Sequence, residues 1–135
     1  MIQLFSNEYA QIHLDEELPC LHVCTLNLPK SSEQLRKAML ALISVSEQYY
    51  RKYRLNGILS DTSQAAGAVS EDLEWVANQV VPRLAEAGVR KMAIINPQLA
   101  LGQHSMDEYL QLTVGKLEQR VFPSNKEAEE WLRKG

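Results

Sequence analysis

Short apolar or alternating runs open the chain. Ile2 to Ser6, Tyr9 to Leu14 and Leu21 to Leu28 are separated by Asn7-Glu8 and by Asp15-Glu16-Glu17-Leu18-Pro19. A period of two predicts strands, and such short links predict antiparallel neighbours. After Leu28 the period lengthens. Ser31 with Gln34 makes a capping box, and Leu35, Met39, Leu42, Ser46, Tyr49 and Tyr53 follow at three- and four-residue steps. That spacing predicts a helix from Ser32 to Tyr53.

Beyond Asn56-Gly57 the two periods alternate. Ile58 to Asp61 reads as a short buried strand, and Ser63 to Gly67 as a small-residue loop. Ser70 is the expected cap of a second helix, with Glu71 and Asp72 in its first turn, where the helix dipole favours acids. Leu73, Ala77, Val80 and Leu84 form its stripe, Pro82 predicts a kink or break, and Gly88 stops it. Met92 to Ile95 is the clearest buried strand. Ser105 with Glu108 reads as a capping box for a third helix carrying Met106, Tyr109, Leu110 and Val114 and ending at Gly115. Gln119 to Phe122 predicts a last strand. Ser124 with Glu127 opens a final helix with Ala128, Trp131 and Leu132 inward.

Strand alternating with helix predicts parallel β-α-β units, with the first strands as an antiparallel edge of one mixed sheet. The expectation is a single α/β domain over residues 1–135. There is no Pro/Gly/Ser-rich linker and no repeat.

Composition narrows the partners. The chain is 45% hydrophobic with a net charge of -3, and the basic excess of a nucleic-acid binder is missing. No apolar run approaches the ~20 residues of a membrane span. The amino-terminal residues lack the pattern of a secretory signal, so a cytoplasmic location is expected. Two cysteines fit a reducing compartment.

Cys20-x-His22-x-Cys24 has the residue types of a metal site. On one strand, however, the two cysteines stand roughly 13 Å apart, too far to share an ion or a disulfide. No metal and no cofactor is expected. Nucleotide-binding glycine motifs are also absent.

In open α/β sheets, ligands gather at the carboxyl ends of strands. Asp61, Thr62, Ser63, Asn96 and His104 belong to that rim. Asp61, Ser63 and His104 compose a nominal hydrolase set, but the chain has no G-x-S-x-G elbow, and a non-enzymatic protein is the expectation. Trp75, beside its helix stripe, is a candidate interface anchor. Arg51, Lys52 and Arg54 beside three tyrosines form a basic helix end.

The run Gly57-Ile58-Leu59-Ser60-Asp61-Thr62, then Val69 to Trp75, Pro82-Arg83, Val89 to Ile95, Glu118 to Phe122 and Glu130-Trp131-Leu132, resembles a family of small bacterial STAS-like proteins. That family is similar to sporulation anti-sigma-factor antagonists and, more distantly, to CRAL-TRIO lipid-binding domains. The resemblance implies a mixed sheet with helices and a regulatory or scaffold module that binds a protein partner, a homodimer included. The CRAL-TRIO likeness implies an alternative, a carrier of a small apolar ligand or lipid. In the antagonists, phosphorylation of a serine at a helix start switches partners. Here the Asp-Ser-Ser-Gly segment is replaced by Asp61-Thr62-Ser63-Gln64, and Thr62, Ser63 and Ser70 are the candidate phosphorylation sites.

Overall fold

The computed structural model describes residues 1–134. Six strands form one sheet whose spatial order is chain order: β1 (Ile2–Ser6), β2 (Ala10–Asp15), β3 (Cys20–Thr25), β4 (Ile58–Asp61), β5 (Lys91–Ile95) and β6 (Glu118–Phe122). β1, β2 and β3 run antiparallel, and β3 to β6 are parallel. This is the α/β architecture expected, with its antiparallel edge and β-α-β units.

The connections are helical. α1 (Ser32–Tyr49) follows β3, α4 (Ala100–Leu112) follows β5, and α5 (Asn125–Arg133) follows β6. Between β4 and β5 the helix is interrupted: α2 (Ser70–Trp75), a π-helical turn (Val76–Val80) and α3 (Val81–Glu86). Pro82 has no N–H, so a carbonyl one turn earlier loses its helical donor. The ammonium of Lys116 fills that place, donating to the Ala77 carbonyl at 3.1 Å and to Asn78 Oδ1 at 3.0 Å. The expected break is therefore a widened turn held by a distant lysine.

Alternation along the strands sorts the core into two layers. Ile12, Leu14, Leu21, Val23, Ile58, Met92 and Ile94 face α1 to α4. Cys20, Leu59, Ala93 and Ile95 face Ala128 and Leu132 of α5. The central parallel strands are apolar on both faces, as helices on both sides require. Gly57 permits the α5 approach, since a Cβ there would lie 2.7 Å from Leu132 Cδ2 and 2.8 Å from the Lys91 carbonyl oxygen.

Several boundaries differ from the sequence reading. α1 ends at Tyr49, and Tyr53 is exposed in the turns that follow. α4 begins at Ala100, so Ser105 and Glu108 lie inside it and cap nothing. Their side chains make tertiary bonds instead: Ser105 Oγ accepts from the Ala68 N–H at 3.0 Å, and Ser70 Oγ donates to Glu108 at 3.0 Å. Ser70 is itself the first residue of α2, behind Val69 at the cap. Val114, expected on the third helix, lies beyond the end of α4 and is exposed. Ser31 does cap α1, accepting from Gln34 N–H at 3.3 Å. Among the described residues, no helix is long and apolar enough to cross a membrane.

Candidate functional site

The carboxyl ends of β4 and β5 build the rim that the sequence pointed to. Asp61 closes β4 and turns the chain, its Oδ1 accepting the Ser63 N–H at 3.0 Å and the Ser63 hydroxyl at 2.6 Å. Thr62 is buried, and its hydroxyl donates to the Ile95 carbonyl, tying the end of β4 to β5. Asn96 contributes backbone, its N–H meeting the Phe122 carbonyl at 2.9 Å. The loop after β4 is stitched to the one after β5 by Gln98 N–H to Ser63 O at 3.3 Å. Of the three candidate phosphorylation sites, Thr62 is buried, Ser63 is half-buried and Ser70 is exposed.

His104 does not join them. It lies within α4, exposed, and among the described residues no hydrogen bond links it to Asp61 or Ser63. Asp61 and Ser63 form a pair without the base that a nucleophilic triad requires.

Trp75 is half-buried at the α1–α2 contact, with the Arg36 guanidinium carbon 4.9 Å from its ring centroid. Beneath it Asp72 is buried at 2% exposure. Ser32 Oγ donates to one Asp72 oxygen at 2.9 Å, and Arg36 Nε stands 3.7 Å from the other. Sequence placed Asp72 in the first turn of this helix, where it stands. In the fold it fastens two helices, and burial, reinforced by that carboxylate, pushes the nearby Tyr9 phenol up to about 12.

Below the rim the main layer is not filled. A cavity of about 130 Å³ lies between the sheet and helices α1 to α4. Val23, Ile58, Met92 and Ile94 form its floor. Leu35, Met39, Leu42, Val76, Val80, Met106 and Tyr109 form its walls, and Ala65, Gly67, Ala68, Pro97 and Gly102 stand at its rim end. Three of the chain's four methionines, Met39, Met92 and Met106, line it. Thioether side chains adapt their shape to irregular guests. The polar groups bordering the space are largely engaged elsewhere: Thr62 on Ile95, Ser105 on Ala68, and the Tyr109 hydroxyl on Gln119 Oε1 at 2.6 Å. What remains is an apolar surface, and the space is not sealed from solvent. The carrier alternative implied an apolar space, but its lining could not be read from the sequence because packing gaps have no local signature. The methionines at three separate core positions were a further hint.

At the opposite end of the strands, Arg51, Arg54, Arg90 and Lys91 surround a surface cleft with Tyr50 and Glu118. Arg51 is partly committed, donating to the Glu86 carbonyl at 2.9 Å.

On the far face of the sheet Cys20 and Cys24 are free thiols, as their spacing required. Burial pushes the Cys20 thiol far up, and the carboxylates of Asp15 and Glu129 add to the effect. The spacing argument against a metal considered only β3. The antiparallel register brings a residue of β2, Asp15, opposite Cys20. One donor atom each from Asp15, Cys20 and His22 then lies within 4.8 Å of the other two.

Comparison with protein-family models, with curated proteins and with solved structures finds no match to this chain.

Proposed function

We propose that this protein is a non-enzymatic binding module that holds a small, largely apolar ligand between its sheet and helices α1 to α4. The observation that carries this reading is the methionine-lined cavity of about 130 Å³ beneath the carboxyl-end rim. A void of this size lined by aliphatic groups favours an apolar guest over water, which would find few partners there. The small-molecule carrier implied by the CRAL-TRIO likeness agrees with it.

Methyl-labelled methionine NMR tests the reading. On titration with a series of short-chain alcohols, the Met39, Met92 and Met106 methyl signals shift together and saturably, while exposed Met1 serves as a control. No saturable shift across the series removes the proposal. Native mass spectrometry of protein from its own host would then identify the physiological guest by its mass.

A second reading, the STAS-like partner-binding module, has its own observation. Leu28, Val69, Leu99 and Leu101 are exposed large aliphatic side chains, and all stand on or next to the loops following β3, β4 and β5. Apolar residues collected at one end of a fold suit an interface. We propose a second copy of the chain as its simplest occupant. A dimer in sedimentation equilibrium that becomes monomeric with Leu99→Glu and Leu101→Glu supports it, and a monomer at all concentrations excludes the homodimer.

A further inference from the structure

The sheet face that carries α5 is only partly covered. α5 packs against β4, β5 and β6. Beyond Cys20, alternation lays out Gln11, His13 and Asp15 on β2 beside Cys24, His22 and Cys20 on β3, paired in that order across the ladder. A strand pair that is apolar on its other face thus presents two imidazoles, two thiols and a carboxylate on this one.

Three of these groups converge. Asp15 Oδ2 and His22 Nε2 are 3.5 Å apart, longer than a hydrogen bond. His22 Nε2 is buried with no hydrogen-bond partner, a vacancy that costs free energy unless something fills it. Cys20 Sγ completes the triangle.

Asp15 is already aimed. Its Oδ1 accepts the backbone N–H groups of Glu17 at 3.0 Å and Leu18 at 3.2 Å. That turn orients the carboxylate and leaves Oδ2 toward His22. A second hydrogen-bonding shell that fixes a ligand oxygen is a regular part of metal sites.

From these observations we infer that Asp15, Cys20 and His22 form a binding site for Zn²⁺ or a similar borderline transition-metal ion, with solvent in a fourth position. One sulfur, one imidazole nitrogen and one carboxylate oxygen suit such an ion and not Mg²⁺ or Ca²⁺, which take oxygen ligands. Binding releases the Cys20 thiol proton to solvent, so thiolate and carboxylate together balance the two positive charges. The site is independent of the cavity, which lies on the other side of the sheet.

The test is titration of the reduced full chain with Co²⁺, a spectroscopic stand-in for Zn²⁺. The expected result is one bound equivalent with a thiolate-to-cobalt charge-transfer band that Zn²⁺ displaces. Cys20→Ser abolishes the band and Cys24→Ser keeps it. Because Cys20 is buried, Asp15→Asn and His22→Gln provide a second arm, each expected to weaken affinity about tenfold or more with an unchanged circular dichroism spectrum. No charge-transfer band, a band that survives Cys20→Ser, or an affinity indifferent to both Asp15→Asn and His22→Gln overturns the proposal.

Discussion

The Ser63 hydroxyl donates a hydrogen bond across 2.6 Å to the carboxylate of Asp61, two residues back at the end of β4. A negative group placed on Ser63 would therefore face an acid instead of a helix N-terminus. Ser63→Ala is expected to cost about 1 kcal/mol of stability, and Ser63→Asp more. Asp61→Asn should shrink the difference between them, because the added repulsion needs both charges. Urea unfolding of the four proteins in a double-mutant cycle measures it.

The π-helical turn makes a second prediction. Lys116→Met removes the donor to the Ala77 carbonyl and is expected to cost about 1 kcal/mol, with faster amide exchange in Val76 to Val80. In a Pro82→Ala background the new N–H competes for the same region of carbonyls, so the Lys116 penalty should fall. An equal penalty in both backgrounds would mean that the lysine acts on something other than the interrupted helix.

The space between sheet and helices can be probed by filling it. Val76→Ile adds one methylene at the cavity wall and is expected to be neutral or stabilising by up to about 1 kcal/mol, where a tightly packed core would lose about 1 kcal/mol or more. The same variant should weaken the response of the methionine methyls to apolar guests. Denaturation midpoint and NMR titration on one sample decide both points.

Gly102 sets how α4 meets the rim. A Cβ at this position would lie 2.4 Å from the Ala65 carbonyl oxygen and 2.9 Å from Pro97 Cβ. Backbone cannot yield as a flexible side chain does, so Gly102→Ala is expected to cost about 2 to 3 kcal/mol. A thermal unfolding scan suffices to check this, and an unshifted midpoint would contradict the packing described.

Alkaline pH should find Tyr9. Its phenol is raised from 10.0 to about 12 by burial and then by Asp72. The folded state holds the proton more tightly than the unfolded chain, so the contribution is complete below pH 10. It is lost as pH rises from about 10 through about 12, on the order of 2 to 3 kcal/mol in all. Tyr109, raised by burial alone, adds to the slope. Tyr9→Phe is therefore expected to flatten, but not abolish, the fall in stability above pH 10.

Much of the fold was legible because local pattern and tertiary packing agree. Ile58 to Asp61 was readable residue for residue, Met92 to Ile95 missed only Lys91 at its start, and the Ser31 cap of α1 is present in the structure. The start of α4 was hidden because Leu99 caps it without a side-chain bond, and Ser105 and Glu108 imitate a capping box while serving distant partners. The rim residues Asp61, Thr62, Ser63 and Asn96 were found from strand order alone. The lining of the cavity and the Asp15–Cys20–His22 triangle were not, since one depends on volumes left between helices and the other on a cross-strand register. Asp72 stands in the first turn as the sequence indicated, but helix position does not reveal which neighbouring helix will cover it.

Spatial order in the sheet repeats chain order, β1 through β6. A chain emerging amino end first can complete its three-stranded meander before any crossover exists, and each later unit needs only the strand just laid down. Assembly of this kind keeps interstrand closure between sequence neighbours and waits for no carboxyl-terminal segment to begin. Its cost is a growing edge open at every stage. The last such edge, β6, carries Glu118 and Arg120 exposed on its strand, charges of the kind that discourage a foreign strand from continuing the series.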